Sequence, residues 1–353
     1  MTTQRRTRIS DIAKRLGVSN ATVSRALSGD GYVKQDLADA IRAAALDMNY
    51  PLPSRAGGTQ VIVAASYDAM VDLGRSQFTM HVLDGLRARA DALGLTLDVQ
   101  AFQDFAAVTE LTQSADVLGL LLLTIDDATL TQAHDLTCPV VLVNGDDPAM
   151  RFSSVTPCNR SAAALATRHL IDRGHDRIVF LTRPGRRTIQ RRREGWQDAM
   201  AGRFDPALVL EVPDWTAEAG QTAISQALAR GERFSGIVAA GDILAMGAIA
   251  ALNEAGLSIP KDVSVIGIDG LPQGRYVTPP LSSVEIPMPQ VGAMALDLLC
   301  EDARNRDISV HYPVRRIELA CKLVNRGSVA PALYRPVHSS TTPRSTKTAI
   351  NTV

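Results

Sequence analysis

Aromatic side chains are scarce in this chain, at 4% of residues. Ala and Leu dominate instead, so its helices are expected to present small side chains and to pack closely. Cysteine is sparse and dispersed. Cys138, Cys158, Cys300 and Cys321 include no CxxC pair, which argues against a zinc site and against a disulfide framework. Reduced, mostly buried thiols of a cytosolic protein are the expected state. Long apolar runs are missing too: the longest strongly apolar stretch, VLGLLLL at 117–123, is far too short for a bilayer and reads as a buried strand. The polar, basic start MTTQRRTRIS does not resemble a secretory leader, which predicts a cytoplasmic protein. There is no GxxxxGKS/T loop, no GxSxG elbow and no HExxH, and His169 and His175 have no partner at metal-ligand spacing. No catalytic residue, cofactor or metal ligand is therefore expected.

Net charge is zero, but it is unevenly spread. Residues 1–60 hold nine Lys/Arg against five Asp/Glu, and the remainder 28 against 32. A basic head on an acidic body suggests that the head alone meets a polyanion; chance asymmetry would give the same count. The 353 residues exceed one ordinary domain, and 46% apolar against 21% charged residues is enough for a large core.

Residues 9–50 carry three short helical patterns. In ISDIAKRLG, Ile9, Ile12, Ala13 and Leu16 share a face, and Gly17 permits a sharp helix end. Ser19 can cap the next helix, NATVSRALS, whose inner stripe is Val23, Ala26 and Leu27. A third helix is predicted over roughly 34–49. Residues 51–60, PLPSRAGGTQ, read as a linker. Strand and helix patterns then alternate: strands at 61–66, 95–101, 117–124, 139–144, 177–182, 207–212, 236–240 and 263–269, with helices at about 80–93, 160–173, 191–201, 217–230 and 242–255. Continuous Val/Ile/Leu runs between helices indicate parallel strands covered on both faces, in two sheets. The tail from 331 is rich in Thr, Ser, Pro and Lys, a composition that predicts disorder. The division is thus 1–50 head, 51–60 linker, 61–330 body and 331–353 tail.

The run RISDIAKRLGVSNATVSRALSG has the layout of a helix-turn-helix. Opposite the Val23/Leu27 stripe lie Asn20, Ala21, Thr22, Ser24 and Arg25. Their small side chains would let a helix enter a major groove. Arg25 suits guanine or phosphate, Asn20 base edges, and Thr22 and Ser24 phosphate oxygens. On periodicity alone, a three-helix bundle with a polar face is an equal reading. The wording resembles the lactose-repressor (LacI/GalR) family: Asp11-Ile12-Ala13, then Gly17-Val18-Ser19, then Ala21-Thr22-Val23-Ser24-Arg25. The resemblance continues through AAGDILAMGAIAALNEAGLSIPKDVSVIGIDG at 239–270 and covers about residues 8–328. It implies an all-α helix-turn-helix head joined to an α/β, two-lobed periplasmic-binding-protein-like (type I) effector domain, and homodimerisation through that domain. DNA contacts would come from Arg8, Ser19, Asn20, Ala21, Thr22, Ser24 and Arg25.

By the same resemblance an effector lies between the lobes, near strand C-termini. Arg192, ahead of Gly195-Trp196, could clamp vicinal hydroxyls or a carboxylate. Asp242 in GDILAMG and Asp269 in GID match acidic cleft positions, and Trp215 matches a ring-stacking aromatic. Phe78, Thr79, Asn144, Arg186 and Thr188 complete the candidate set. Asp242 could instead cap its helix, and Trp215 could be core. Six Arg within 183–193 would ordinarily be a solvated face; on a cleft rim they would make a sugar acid or phosphorylated sugar plausible.

The implied function is a DNA-binding transcription regulator, a repressor of a pseudo-palindromic operator tuned by a sugar-like effector. The alternative is an activator, or a corepressor-dependent regulator of purine-responsive type. A sugar-binding or sugar-processing protein is a further class, disfavoured by the missing leader and catalytic motifs. Residues 51–60 depart from the family, which places a hinge helix there with a Leu wedged into the minor groove. Pro51 and Pro53 disfavour helix at Tyr50 and Leu52, and Gly57 and Gly58 each weaken it by roughly 1 kcal/mol. Less than one turn remains between them. No hinge helix and little operator bending are therefore expected, with Arg5, Arg6 and Arg8 near the backbone. A circular-permutation bending assay tests this: a strong central kink abolished by Leu52→Ala would refute it.

Overall fold

The computed structural model describes residues 8–28, 33–48, 59–71, 73–305 and 313–332. Most of the 51–60 linker, the tail beyond 332, and Arg5 and Arg6 lie outside them.

The head is α1 (Ile9–Leu16), α2 (Asn20–Ser28) and α3 (Gln35–Asp47). Ile12, Ala13, Val23, Ala26, Ala38, Ile41, Ala44 and Ala45 form its core. Gly17 ends α1 in the left-handed conformation, φ 66°, where a side chain would be strained. The Ser19 hydroxyl then accepts the Thr22 N–H at 3.0 Å, satisfying one of the open donors that begin α2. These two residues set the angle between α1 and α2.

The body has two six-stranded sheets. The first has the order β11-β5-β4-β3-β1-β2, with β1 Gln60–Ser66, β2 Thr96–Phe102, β3 Val117–Leu123, β4 Val140–Val143, β5 Ser153–Pro157 and β11 Arg316–Leu319, all parallel. The second has the order β12-β10-β9-β8-β6-β7, with β6 Ile178–Thr182, β7 Val209–Glu211, β8 Gly236–Ala239, β9 Ser264–Asp269, β10 Ser282–Glu285 and β12 Lys322–Val324. Only β12 runs antiparallel. The predicted parallel, doubly covered α/β architecture is the one observed. Most of β3, β4, β6, β8 and β9 is fully buried, as continuous apolar runs require.

Several elements were not legible in the pattern. The strand β5, SSVTP, buries Ser153, Ser154 and Thr156 in the middle of a sheet, so the apolar run that marks a central strand is absent. The helix predicted at about 80–93 begins at Leu73 (α5, Leu73–Leu93), and the one predicted at 191 begins at Arg187 (α9, Arg187–Met200). The short helices α4 (Tyr67–Val71), α6 (Phe105–Leu111) and α7 (Asp127–Ala133) also flank the first sheet.

The chain passes between lobes three times: from β5 into α8 (Asn159–Ile171), from β10 into α12 (Met288–Asn305), and from β11 into β12. The second lobe is completed by α10 (Ala217–Ala229) and α11 (Asp242–Glu254). Its helices touch through glycine, as the small-residue composition anticipates. A Cβ added to Gly195 of α9 would lie 1.9 Å from the Arg160 carbonyl oxygen of α8, and one on Gly247 of α11 would lie 2.0 Å from the Ala217 carbonyl oxygen of α10. Both obstacles are backbone, which cannot rotate away. Gly195→Ala is therefore expected to destabilise the protein by about 1–3 kcal/mol through forced separation of α8 and α9, read as a lowered urea midpoint; an unchanged midpoint would show that the helix pair can slide apart freely.

Candidate functional site

The head presents one polar surface. Arg8, Ser19, Asn20, Ala21, Ser24 and Arg25 are exposed and Thr22 half-buried, all on or before α2. Thr22 Oγ1 lies 2.8 Å from Ser19 Oγ, so both hydroxyls are held in place. The Arg8 N–H donates to Asp11 at 2.8 Å. Asp11 thus closes the start of α1 although residue 8 offers no hydroxyl.

The body holds a cleft between the lobes with about 500 Å³ of empty space, part of it open to solvent, lined by Ala69, Phe78, Thr79, Thr124, Asn144, Arg186, Thr188, Ile189, Arg192, Trp215, Ile243 and Asp269. Parallel strands point their C-termini here, which is where doubly wound sheets bind ligands. Thr124 follows β3, Asn144 follows β4, and Asp269 ends β9. All three take positive φ, 52°, 54° and 131°, unusual for residues with side chains. Such backbone strain, of order 1–3 kcal/mol each, gathers at functional sites. Asn144 is 7% exposed, and its Oδ1 has no hydrogen-bond partner among the described residues; the same holds for the buried Trp215 Nε1. The cleft lining therefore includes an unsatisfied acceptor, Asn144 Oδ1, and an unsatisfied donor, Trp215 Nε1. A smaller cavity of about 290 Å³ adjoins it and shares Asn144, Arg186 and Thr188.

Arg192, 4% exposed, anchors the floor. Its Nε donates to Asn159 Oδ1 at 2.8 Å, and its Nη1 to Asp269 Oδ1 at 2.9 Å and to the Ala240 carbonyl. Nη2 is the nitrogen outside these bonds, so the two-pronged clamp predicted for Arg192 is already turned inward on the protein. Burial pushes the Asp269 carboxyl up, opposed by the neighbouring Arg192 charge.

Asp242 corrects the sequence reading. It is fully buried and absent from the cleft lining, while its neighbour Ile243 faces the cleft. It is the first residue of α11 rather than its cap, which is Gly241. Its carboxylate accepts the Leu271 N–H and the Ser283 hydroxyl, each at 2.6 Å, and Ser283 Oγ accepts the Gly270 N–H at 3.1 Å. A Cβ on Gly267 would lie 2.1 Å from Asp242 Oδ1, so only glycine leaves room for this carboxylate. Asp242 braces the loop that carries Asp269.

Trp215 also differs from expectation. The Arg186 guanidinium sits 5.5 Å above its ring centroid, so this cation covers one of the faces expected to receive a ligand ring. Nor are the arginines of 183–193 a solvated face. Arg187 pairs with Asp127, Arg191 with Asp146 and Glu194, and Arg193 with Glu211; Arg183 donates to the Pro213 carbonyl. Asp127 and Asp146 belong to the first lobe, so Arg187 and Arg191, one helical turn apart on α9, tie the lobes together. With those charges matched, the argument for a phosphorylated ligand weakens. Asn159, Ser283 and Thr124 were missed. Thr124 was findable as the residue ending a buried strand; nothing local marks the other two.

Among the described residues, no group of three or more His, Cys, Asp or Glu could hold a metal ion, and no helix is long and apolar enough to cross a membrane.

Burial, and then the negative charge of Asp269, push the Asp242 carboxyl up to about 7. The folded state then holds this proton more tightly than the unfolded chain, so the group's contribution to stability falls as pH rises from about 4 to about 7. Asp242→Asn removes that slope. The variant is expected to gain on the wild type by at least about 1 kcal/mol between pH 5 and pH 8, measured by urea melts at both pH values; a constant difference would refute the raised carboxyl.

A family model described as bacterial regulatory proteins, lacI family, matches residues 8–52, and one described as a periplasmic binding protein-like domain matches residues 167–329. The HTH-type transcriptional repressor PurR of Edwardsiella ictaluri is 30% identical over 333 residues, 91% of this chain and 96% of the relative. The HTH-type transcriptional regulator MalR of Streptomyces coelicolor is 30% identical over 351 residues, 92% and 97% respectively. Of solved structures, a transcriptional regulator CelR–cellobiose complex is similar with TM-score 0.69 at 24% identity, over 92% of this chain and all of that one. A lac repressor dimer bound to operator and the anti-inducer ONPF is similar with TM-score 0.67 at 23% identity, over the same shares.

Proposed function

Because the chain belongs to the lacI family of bacterial regulatory proteins, and so is a DNA-binding transcription regulator with a small-molecule effector, we propose how its own residues divide that work. Arg8 and the exposed face of α2, namely Ser19, Asn20, Ala21, Thr22, Ser24 and Arg25, meet the operator. Two copies of the chain pair in the cytoplasm and present two heads to a pseudo-palindromic site, with half-sites about 34–36 Å apart.

The effector occupies the interlobe cleft. Phe78, Thr79 and Asn144 meet it from the first lobe, and Arg186, Thr188, Arg192, Trp215 and Asp269 from the second. The observation that carries this reading is the buried Arg192–Asp269 pair at the cleft floor, beside the unsatisfied Asn144 Oδ1 and Trp215 Nε1. Donors and acceptors so interleaved fit a compact, hydroxyl-rich molecule. Arg186, Arg192 and Asp269 lie together in the lining, donors and an acceptor that suit the hydroxyls and carboxylate of a sugar acid. The pairing of the other arginines disfavours a phosphorylated sugar. The output is repression relieved or enforced by lobe rotation, which alters the spacing of the heads; chemistry on the effector has no part in it.

Electrophoretic shift with the neighbouring promoter, and calorimetry against sugars, sugar acids and purines, test the two halves. Arg25→Ala is expected to lower operator affinity by about 1–3 kcal/mol without altering effector binding. Asp269→Ala is expected to weaken the effector by a similar amount, about 1–3 kcal/mol, and to spare operator binding. Full operator affinity in Arg25→Ala, or full effector affinity in a folded Asp269→Ala, would overturn the corresponding half.

A further inference from the structure

Two of the three interlobe crossovers carry a cysteine at the crossing itself. Cys158 is the single residue between β5 and α8, and Cys321 lies with Ala320 between β11 and β12. The crossovers are adjacent. Pro157 and Leu319 are paired across the parallel β5–β11 ladder, and the Cys158 N–H donates to the Leu319 carbonyl at 2.8 Å. The Cys321 Sγ lies 3.8 Å from that same oxygen, and its thiol is close enough to feel both the Cys158 backbone N–H and the Cys158 sulfur. The Cys158 N–H and the Cys321 Sγ thus converge on one carbonyl oxygen, which sets the two cysteines side by side at the crossing, and a disulfide needs neighbouring backbones of this kind. Both side chains are reduced and partly exposed.

We propose that Cys158 and Cys321 are a thiol pair that peroxide converts to a disulfide, stapling two of the three crossovers on which the lobes pivot. The two sulfurs are not equivalent. Burial pushes the Cys321 thiol up to about 11, so at neutral pH it is a poor first nucleophile. Cys158 is the N-cap residue of α8, and its sulfur lies 2.9 Å from the Ser161 hydroxyl, a group that can hydrogen-bond the sulfur as it attacks. Cys158 attacks hydrogen peroxide: the O–O bond breaks, a sulfur–oxygen bond forms, and water leaves with the thiol proton. The product is Cys158 sulfenic acid. The Cys321 sulfur then attacks that sulfur, the sulfenic oxygen departs as a second water, and the S–S bond closes. Two thiols are oxidised by two electrons in all, and one peroxide is reduced to two waters. The staple forms in a conformer whose lobes are already tied by Asp127–Arg187 and Asp146–Arg191. It therefore holds the lobes in that relation, beside the Arg192 and Asp269 charges that the Cys321 thiol also feels.

The test uses the full-length chain treated with hydrogen peroxide, alkylated without reduction and mapped by mass spectrometry. The expected result is one linked peptide pair joining Cys158 to Cys321, a mass loss of two hydrogens reversed by dithiothreitol, and unchanged alkylation of Cys138 and Cys300, which lie between α7 and β4 and within α12. Hydrogen exchange over 157–159 and 319–322 slows in the oxidised chain. In Cys321→Ser, Cys158 stops at the sulfenic acid and is captured by dimedone. In Cys158→Ser, Cys321 stays alkylatable. The near-isosteric serine variants should keep the circular dichroism spectrum of the wild type. The proposal is overturned if all four thiols stay alkylatable under conditions that oxidise glutathione, if Cys138 or Cys300 supplies a linked partner, or if Cys158 proceeds to sulfinic acid while Cys321 remains free. None of these readouts needs the effector, so the staple and the effector cleft stand or fall separately.

Discussion

A guanidinium taken out of water must be neutralised and hydrogen-bonded in place, because an uncompensated buried charge costs several kcal/mol. Arg192, on α9, meets that demand with groups from three other places in the fold: Asn159 at the start of α8, the Ala240 carbonyl beyond β8 and the Asp269 carboxylate at the end of β9. Much of the second lobe's cleft wall is thereby referred to one side chain. Asp269 can answer only from a left-handed backbone, φ 131°, and that loop is braced from behind by Asp242 and Ser283. The brace needs a glycine at 267, where a Cβ would strike the Asp242 carboxylate. Charge burial at one point thus dictates backbone strain at a second and residue size at a third.

The relation between the lobes rests on different physics. Three short crossovers join them covalently, and ion pairs tie them at the rim. Arg187–Asp127 is substantially exposed, where screening leaves little net stabilisation. Asp146 is different: its side chain is 3% exposed and takes a guanidinium from each lobe, Arg191 and Arg316. A rigid interior to each lobe, built on glycine-mediated helix contacts, and a modest interlobe linkage are together the conditions for rigid-body rotation about a hinge. The strained residues Thr124, Asn144 and Asp269 all sit where that rotation would be sensed.

Amphipathic periodicity and capping are local, so the head was fully legible: α1, α2, α3 and the Ser19 cap fall where the residues place them. Buried parallel strands are also local signals, since both faces must be apolar. The polar strand β5 was not, because its serines and threonine are buried by neighbours remote in sequence. The same limit separates the cleft residues. Phe78, Thr79, Asn144, Arg186, Thr188, Arg192, Trp215 and Asp269 all line the cleft; Asn144 and Asp269 reach it from strand ends, Arg186 and Thr188 from a helix start and Phe78, Thr79 and Arg192 from within helices. Asp242 shares their chemistry and their motif, yet one peptide unit turns it inward while Ile243 faces out.

The sequence by itself determined the three helices of the head, the buried apolar strands of the body and the set of side chains available to the cleft, because each depends on neighbours within a few positions along the chain. The tertiary structure decided which of those side chains are free to meet a ligand. Arg192 is turned onto Asp269, Arg186 covers Trp215, and three of the rim arginines, Arg187, Arg191 and Arg193, are neutralised by carboxylates. These contacts join residues from 18 to 77 positions apart. Coulomb attraction and burial select them only after the sheets have brought their strand ends together, and no pattern along the chain encodes that distance.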